Sequence, residues 1–126
     1  MTTTEIGRLG EKYAAKFLKK SGYRILEKNR HESHNEIDMI VKDKTYIVFV
    51  EVKTRTVEAD LFSEYGSPAC AVNKAKQQRT VAAAKSYLAS VKEELLQPRF
   101  DVIEVYLSKR KYKLLHIQHM IDAFWA

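Results

Sequence analysis

The run Tyr46-Ile47-Val48-Phe49-Val50-Glu51-Val52-Lys53 constrains the fold of this chain more than any other stretch. It is rich in β-branched and aromatic residues, which favour a strand. Successive side chains of a strand point to opposite faces, so Val48, Val50 and Val52 form one face. Ile47 and Phe49, followed by Glu51 and Lys53, form the other. Both faces are apolar over most of the length, which predicts a central strand covered on both sides. A chain of 126 residues suits one domain, spanning 1–126, built around such a sheet.

Just upstream, Ile37, Met39 and Val41 alternate with Asp38, Ile40 and Lys42, and Asp43-Lys44-Thr45 reads as a turn. The two runs then form a hairpin. If its loop has an even number of residues, Asp38 and Glu51 share a face. Pairing Lys42 with Ile47 sets Asp38 opposite Glu51, with Cβ atoms about 5 Å apart. Glu36 lies two residues before Asp38 and Lys53 two after Glu51, each on its neighbour's face.

Around this hairpin the periodicity predicts further elements. Thr2 and Glu5 have capping-box spacing, and Ile6, Leu9, Tyr13, Phe17 and Leu18 recur at helical intervals up to Ser21-Gly22. Tyr23 to Leu26 starts a first strand, and Lys28 to Asn35 reads as a polar connection. Thr54 to Pro68 reads as a loop. Asn73 suits the N-cap of a long helix to about Leu96, with Val81, Ala84, Tyr87, Leu88, Val91 and Leu95 facing the core, closed by Pro98. Phe100, Val102, Val105 and Leu107 predict another strand, Tyr112 to Ile117 a last one, and Ile121 to Trp125 a short helical turn. The order is α-β-β-β-α-β-β, an α/β layered domain around a mixed sheet.

Two carboxylates a few ångströms apart repel unless a cation lies between them, and a divalent metal does this. Mg²⁺ takes one or two carboxylates and completes its shell with water and phosphate. Lys53 adds a positive charge able to orient water or to stabilise charge growing on a phosphate. Glu51-Val52-Lys53 alone reads more readily as a charged strand end. Asp38 on the facing strand, with both strands buried, tips the reading towards a site, because converging charges in apolar surroundings are costly.

The whole-chain balance agrees. Lys and Arg number 22 against 16 Asp and Glu, a net charge of +6 that favours polyanionic partners, nucleic acid first. Cys70 is the single cysteine, which excludes an internal disulfide, fits a reducing compartment and reads as a small buried residue. Met1 to Glu5 lacks the order of a signal peptide, and the apolar stretch around Tyr46 to Val52 is too short to span a bilayer. A cytoplasmic protein with no membrane partner is expected.

The chain resembles the YraN family of small bacterial proteins, which is related in fold to Holliday-junction resolvases and restriction endonucleases. The resemblance is carried by Gly7, Gly10-Glu11, Ala14, Gly22-Tyr23, Asn29-Arg30, Glu36-Ile37-Asp38, Phe49 to Lys53, Arg55, Gly66, Val72, Lys76-Gln77 and Arg99 to Val102. It implies a restriction-endonuclease-like fold with a mixed sheet flanked by helices, and the PD-(D/E)XK nuclease motif. By that resemblance Asp38 and Glu51 are metal ligands, with the carbonyl of Val52 as a third, and Lys53 is the catalytic lysine; Glu11 of the first helix is an outer or direct ligand, or reads equally as a solvated helix glutamate. It also implies a homodimer, since symmetric cutting of two strands needs two sites. The motif's proline is Ile37 here, and the glycine usual before Glu36 is Asn35.

Further candidates are weaker. Glu36 either contacts metal-bound water or closes its strand. Arg55 follows the catalytic strand and is a phosphate candidate. Lys76, Gln77 and Arg79 lie near a helix N-terminus, where anions are favoured, although a solvated basic face is the competing reading for Arg79. Asp101 suits a structural hydrogen bond. The spacings His31/His34 and His116/His119 are weak zinc signals without cysteine partners. The expectation is Mg²⁺- or Mn²⁺-dependent hydrolysis of DNA, with branched or flapped substrates by analogy. The first rival is a nucleic-acid-binding module that does not cut and assists a partner, and the second a structural or interaction protein with no nucleic-acid role.

Overall fold

The computed structural model describes residues 1–58, 73–91 and 95–125. Helix α1 spans Thr3–Lys20, and Thr2 caps it as its spacing predicts. Glu5 N–H donates to Thr2 Oγ1 at 3.1 Å and Thr2 N–H to Glu5 Oε1 at 3.0 Å. Strands β1 (Arg24–Glu32), β2 (Asn35–Lys42) and β3 (Tyr46–Val57) follow. Helix α2 (Lys74–Ser90) then leads to β4 (Gln97–Ser108) and β5 (Leu114–Phe124).

The strands form one sheet in the order β1-β2-β3-β4-β5. Neighbours are antiparallel except β3 and β4, which run parallel. A parallel pair needs a crossover, and the segment containing α2 supplies it. This is the expected α-β-β-β-α-β-β mixed-sheet architecture. The hairpin pairs Lys42 with Ile47, the register inferred from the sequence.

The helices cover opposite faces. Ala14, Ala15 and Leu18 of α1 pack on Met39, Val41, Val48, Val50, Ile103, Val105 and Leu107. Ala83, Ala84 and Tyr87 of α2 pack on Ile40, Ile47, Phe49, Phe100 and Val102. Gly10 sets how closely α1 approaches, since a Cβ there would lie 1.8 Å from Thr54 Oγ1.

Several boundaries differ from the sequence expectation. The polar run from Lys28 is strand, not connection, and only Ser33-His34 turn between β1 and β2. An edge strand tolerates polar residues because one of its sides is open to water. Ser33 makes the tight turn with φ +56°. β3 continues through Thr54 to Val57, where parallel pairing with β4 up to Ser108 holds it. The remainder of the expected loop, with Gly66 and Pro68, lies outside the described residues, as do Cys70 and Val72.

α2 ends at Ser90 with Val91 as its cap, and Leu95 is 100% exposed rather than in the core. Pro98 sits inside β4 near its start, paired with Ile47. Residues 121–124 continue β5 instead of forming a helical turn. A bulge with Asp122 at φ +57° lets the strand resume pairing, and Phe124 stacks on Phe100 with ring centroids 5.1 Å apart.

Candidate functional site

On β3 the face that buries Ile47 and Phe49 against α2 continues into Glu51 and Lys53. Glu51 is buried, and its Oε1 lies 3.7 Å from Lys53 Nζ. The same oxygen lies 3.7 Å from the Nζ of Lys76, in the first turn of α2. Asn73 caps that helix by accepting from Lys76 N–H at 2.8 Å, which fixes where Lys76 starts.

Asp38 enters from β2. The paired residues of β2 and β3 end at Met39–Val50, and beyond them Asp38 Oδ2 accepts from Val52 N–H at 2.9 Å. A side chain thus takes a main-chain donor just where the ladder stops. The alternation of β2 breaks here as well. Met39 and Val41 face α1, whereas Ile37 joins Ile40 on the α2 side. Asp38 therefore sits at the break, exposed to charge from both layers. Burial, then the negative charge of Glu51, pushes its carboxyl up to about 7, with Glu11 adding to the rise. The Val52 N–H and the Lys76 ammonium oppose it.

Glu11 reaches this point from α1. Its Oε1 accepts from Asn29 Nδ2 at 3.1 Å and lies 3.2 Å from Arg8 Nη1, which also donates to Asn29 Oδ1. Asn29 stands on β1 between Lys28 and Arg30, which pair with Met39 and Ile37, and so lies beside Asp38. Its φ of +50° is unusual inside a strand, and asparagine tolerates it better than most residues. The resemblance included Asn29 without a role. Its tolerance of positive φ was the only local signal for this bridging position.

The other candidates separate. Glu36 pairs across the strands with His31, at 3.9 Å from its Nε2. Arg55, on the face of Lys53, donates from Nε to Glu104 Oε2 at 2.9 Å. Tyr106 O–H donates to the same oxygen at 2.8 Å, and burial together with this bond pushes the phenol up to about 12. Glu104 is fully buried, and its Oε1 has no hydrogen-bond partner among the described residues. Sequence reasoning missed Glu104. The available signal was an acid on the buried face of a strand that reads Val102, Glu104, Tyr106. Gln77 lines a groove with Lys74, Val81, Lys85 and Trp125, and Arg79 is exposed.

Asp101 serves structure. It accepts from Arg99 at 2.9 and 2.8 Å, contacts His119 Nε2 at 2.7 Å, and takes Asp122 N–H at 2.9 Å in the β5 bulge. Burial alone would raise its carboxyl, but the bonds from His119, Arg99 and Asp122 outweigh burial and hold it low. His119 lies against Phe17 and Tyr23, while His116 lies against Tyr106, so the two histidines point to opposite faces of the sheet. A cleft of about 740 Å³ opens beside this network, lined by Tyr46, Arg99, Asp122 and Trp125. It lies at the start of β3 and β4, away from Glu51 and Lys53.

Among the described residues, no three His, Cys, Asp or Glu side chains already converge on one point. The groups that would hold a hard cation here are the Asp38 and Glu51 carboxylates, with the Val52 carbonyl on the strand between Glu51 and Lys53. A carboxylate whose ionisation is opposed by desolvation and by a neighbouring buried carboxylate suits a divalent cation. These residues fit such an ion, and Glu11 is held nearby through Asn29.

Residues 10–105 match the model of a family described as Uncharacterised protein family UPF0102. The chain belongs to this family. UPF0102 is the YraN family, so the resemblance drawn from the sequence motifs holds. A UPF0102 protein of Caldanaerobacter subterraneus subsp. tengcongensis is 48% identical over 94% of this chain and 93% of its own. One from Chlorobium chlorochromatii is 42% identical over 99% and 95%, and one from Alkaliphilus oremlandii 44% over 95% and 97%. The UPF0102 match spans all the acids and lysines that meet around Asp38. Among the described residues no helix is long and apolar enough to cross a membrane.

Proposed function

We propose that this UPF0102 protein is a metal-dependent endonuclease that hydrolyses phosphodiester bonds in DNA, with Mg²⁺ or Mn²⁺ held by Asp38, Glu51 and the Val52 carbonyl. The observation that carries the reading is the meeting of Asp38 and Glu51 at the end of the β2–β3 ladder, beside Lys53 and Lys76. A structural ion pair needs one acid and one base. Here Asp38 lies near the buried Glu51 and is pushed up to about 7, a cost that a bound cation would remove.

When bound, the cation supplies an activated water and screens charge on the scissile phosphate. The protein's own groups do the rest. Asp38 is oriented by Val52 N–H, so its second oxygen stays available. Lys53 holds a positive charge on the face where the attacked phosphate would lie, which stabilises charge developing there. Lys76 brings a second ammonium from the α2 N-terminus, where the helix dipole also favours an anion. Arg55 is gripped through Nε by Glu104, and its half-exposed guanidinium can meet a flanking phosphate.

Labelled duplex, single-stranded, flapped and four-way DNA with Mg²⁺ or Mn²⁺ tests this. Wild type should cleave at least one substrate. Asp38→Asn and Lys53→Ala should each lose at least about a hundredfold in rate while keeping DNA binding. Equal cleavage by all three proteins would exclude this site. Salt-sensitive binding without cleavage by any would favour a module that binds nucleic acid and assists a partner.

A further inference from the structure

Glu51 balances two ammonium groups in this structure, since Lys53 and Lys76 each place Nζ 3.7 Å from its Oε1. A divalent cation held by Asp38 and Glu51 would compete for that oxygen and repel both ammonium groups. Lys76 stands in the first turn of α2 and can swing its long stem towards water. Lys53 projects from a central strand, beside β4.

The neighbour of Lys53 across the parallel β3–β4 pair is Glu104. Residues so paired stand side by side on one face, about 4.8 Å apart along the hydrogen-bonding direction. Glu104 is 0% exposed. Its Oε2 is taken by Arg55 Nε at 2.9 Å and Tyr106 O–H at 2.8 Å, while Oε1 has no partner among the described residues. A buried carboxylate oxygen left open is costly, and its presence in a native fold calls for a reason.

We propose that Glu104 is the alternate partner of Lys53, its open Oε1 receiving the Lys53 ammonium when a divalent cation occupies Asp38 and Glu51. The inference deepens the proposed function and rests on its cation site. Glu104 is then a positioning residue. It keeps the ammonium of Lys53 beside the site when Glu51 is engaged, and it holds Arg55 through its other oxygen. One buried acid on β4 thereby sets the places of two cations on β3. A second metal ion at Glu104 is a poorer occupant, because Arg55 already sits on that carboxylate.

The test is a Mn²⁺ titration of the full chain read by thermal melting, with wild type, Glu104→Gln, Lys53→Met and the double variant. Glu104→Gln should raise the Mn²⁺ concentration for half-maximal stabilisation roughly tenfold or more, the effect of one charge-assisted hydrogen bond. Lys53→Met should lower it, and adding Glu104→Gln to Lys53→Met should change nothing further. A wild-type midpoint in Glu104→Gln, or the same rise with and without Lys53, overturns the proposal and leaves the cation site standing. A wild type that does not respond to Mn²⁺ overturns both. Should Glu104→Gln not fold, the natural chain decides by NMR during a Mg²⁺ titration. Contacts of the Lys53 ε-protons should weaken towards Glu51 and strengthen towards Glu104, and intensities unchanged to saturation overturn the proposal.

Discussion

At Asp38 two demands conflict. Val52 N–H calls for an ionised acceptor, whereas burial and the charges of Glu51 and Glu11 oppose ionisation and win, pushing the carboxyl up to about 7. An unfolded aspartate titrates near 3.9. The folded state therefore holds its proton more tightly, and this contribution to stability is complete below about pH 4 and lost as pH rises through about 7. In EDTA, Asp38→Asn should melt above wild type at pH 8, by an amount on the order of 1–3 kcal/mol, and level with it at pH 4. Saturating Mg²⁺ should reverse the order at pH 8, since a cation favours the ionised carboxylate and stabilises only the form that binds it. An unchanged difference across pH would show that Asp38 ionises freely in the fold.

Between elements, the contact that positions the site from the α1 side is the approach of Gly10 to Thr54. A Cβ at Gly10 would lie 1.8 Å from Thr54 Oγ1 and 2.8 Å from both Thr54 Cβ and Cγ2. Thr54 is β-branched and fixed in β3, so no rotamer clears the clash. Gly10→Ala should destabilise by about 2 kcal/mol or more, lowering Tm by several degrees, and adding Thr54→Ala should recover part of the loss. Calorimetry on the two variants checks this, and additive losses would refute it. The same shift would carry Glu11 away from Asn29 and Asp38. The helix itself was readable in the capping spacing of Thr2 and Glu5 and the stripe from Ile6 to Leu18, because both signals lie within a few residues. Its closeness to Thr54 was not, because glycine in a helix announces nothing about which strand lies opposite. β1 was underestimated for a related reason. Its polar residues are stabilised by partners remote in sequence, such as Tyr87 beneath Arg30 and Ser86 bonded to Glu32.

For the whole molecule, the net charge of +6 does not set the fold but does set how it meets a polyanion. With Lys53, Arg55 and Lys76 gathered on the α2 side of the sheet, DNA affinity should fall linearly in log–log terms with salt. Each of these contacts removed should reduce the slope by about one. Fluorescence anisotropy of Arg55→Met and Lys76→Met against salt measures this, and an unchanged slope would place the DNA elsewhere.

Alternation along a strand is a local property, so the central position of Tyr46 to Lys53, the hairpin parity and the Lys42–Ile47 register could be read from the sequence alone. The same holds for the capped starts of both helices. Tertiary structure alone decided that β2 loses its alternation at Asp38, that Asn29 stands beside it, that Lys76 reaches Glu51, and that Glu104 lies next to Lys53. These neighbours lie from 9 to 51 residues apart along the chain. Sheet order and the face covered by each helix bring them together, and no local period records either.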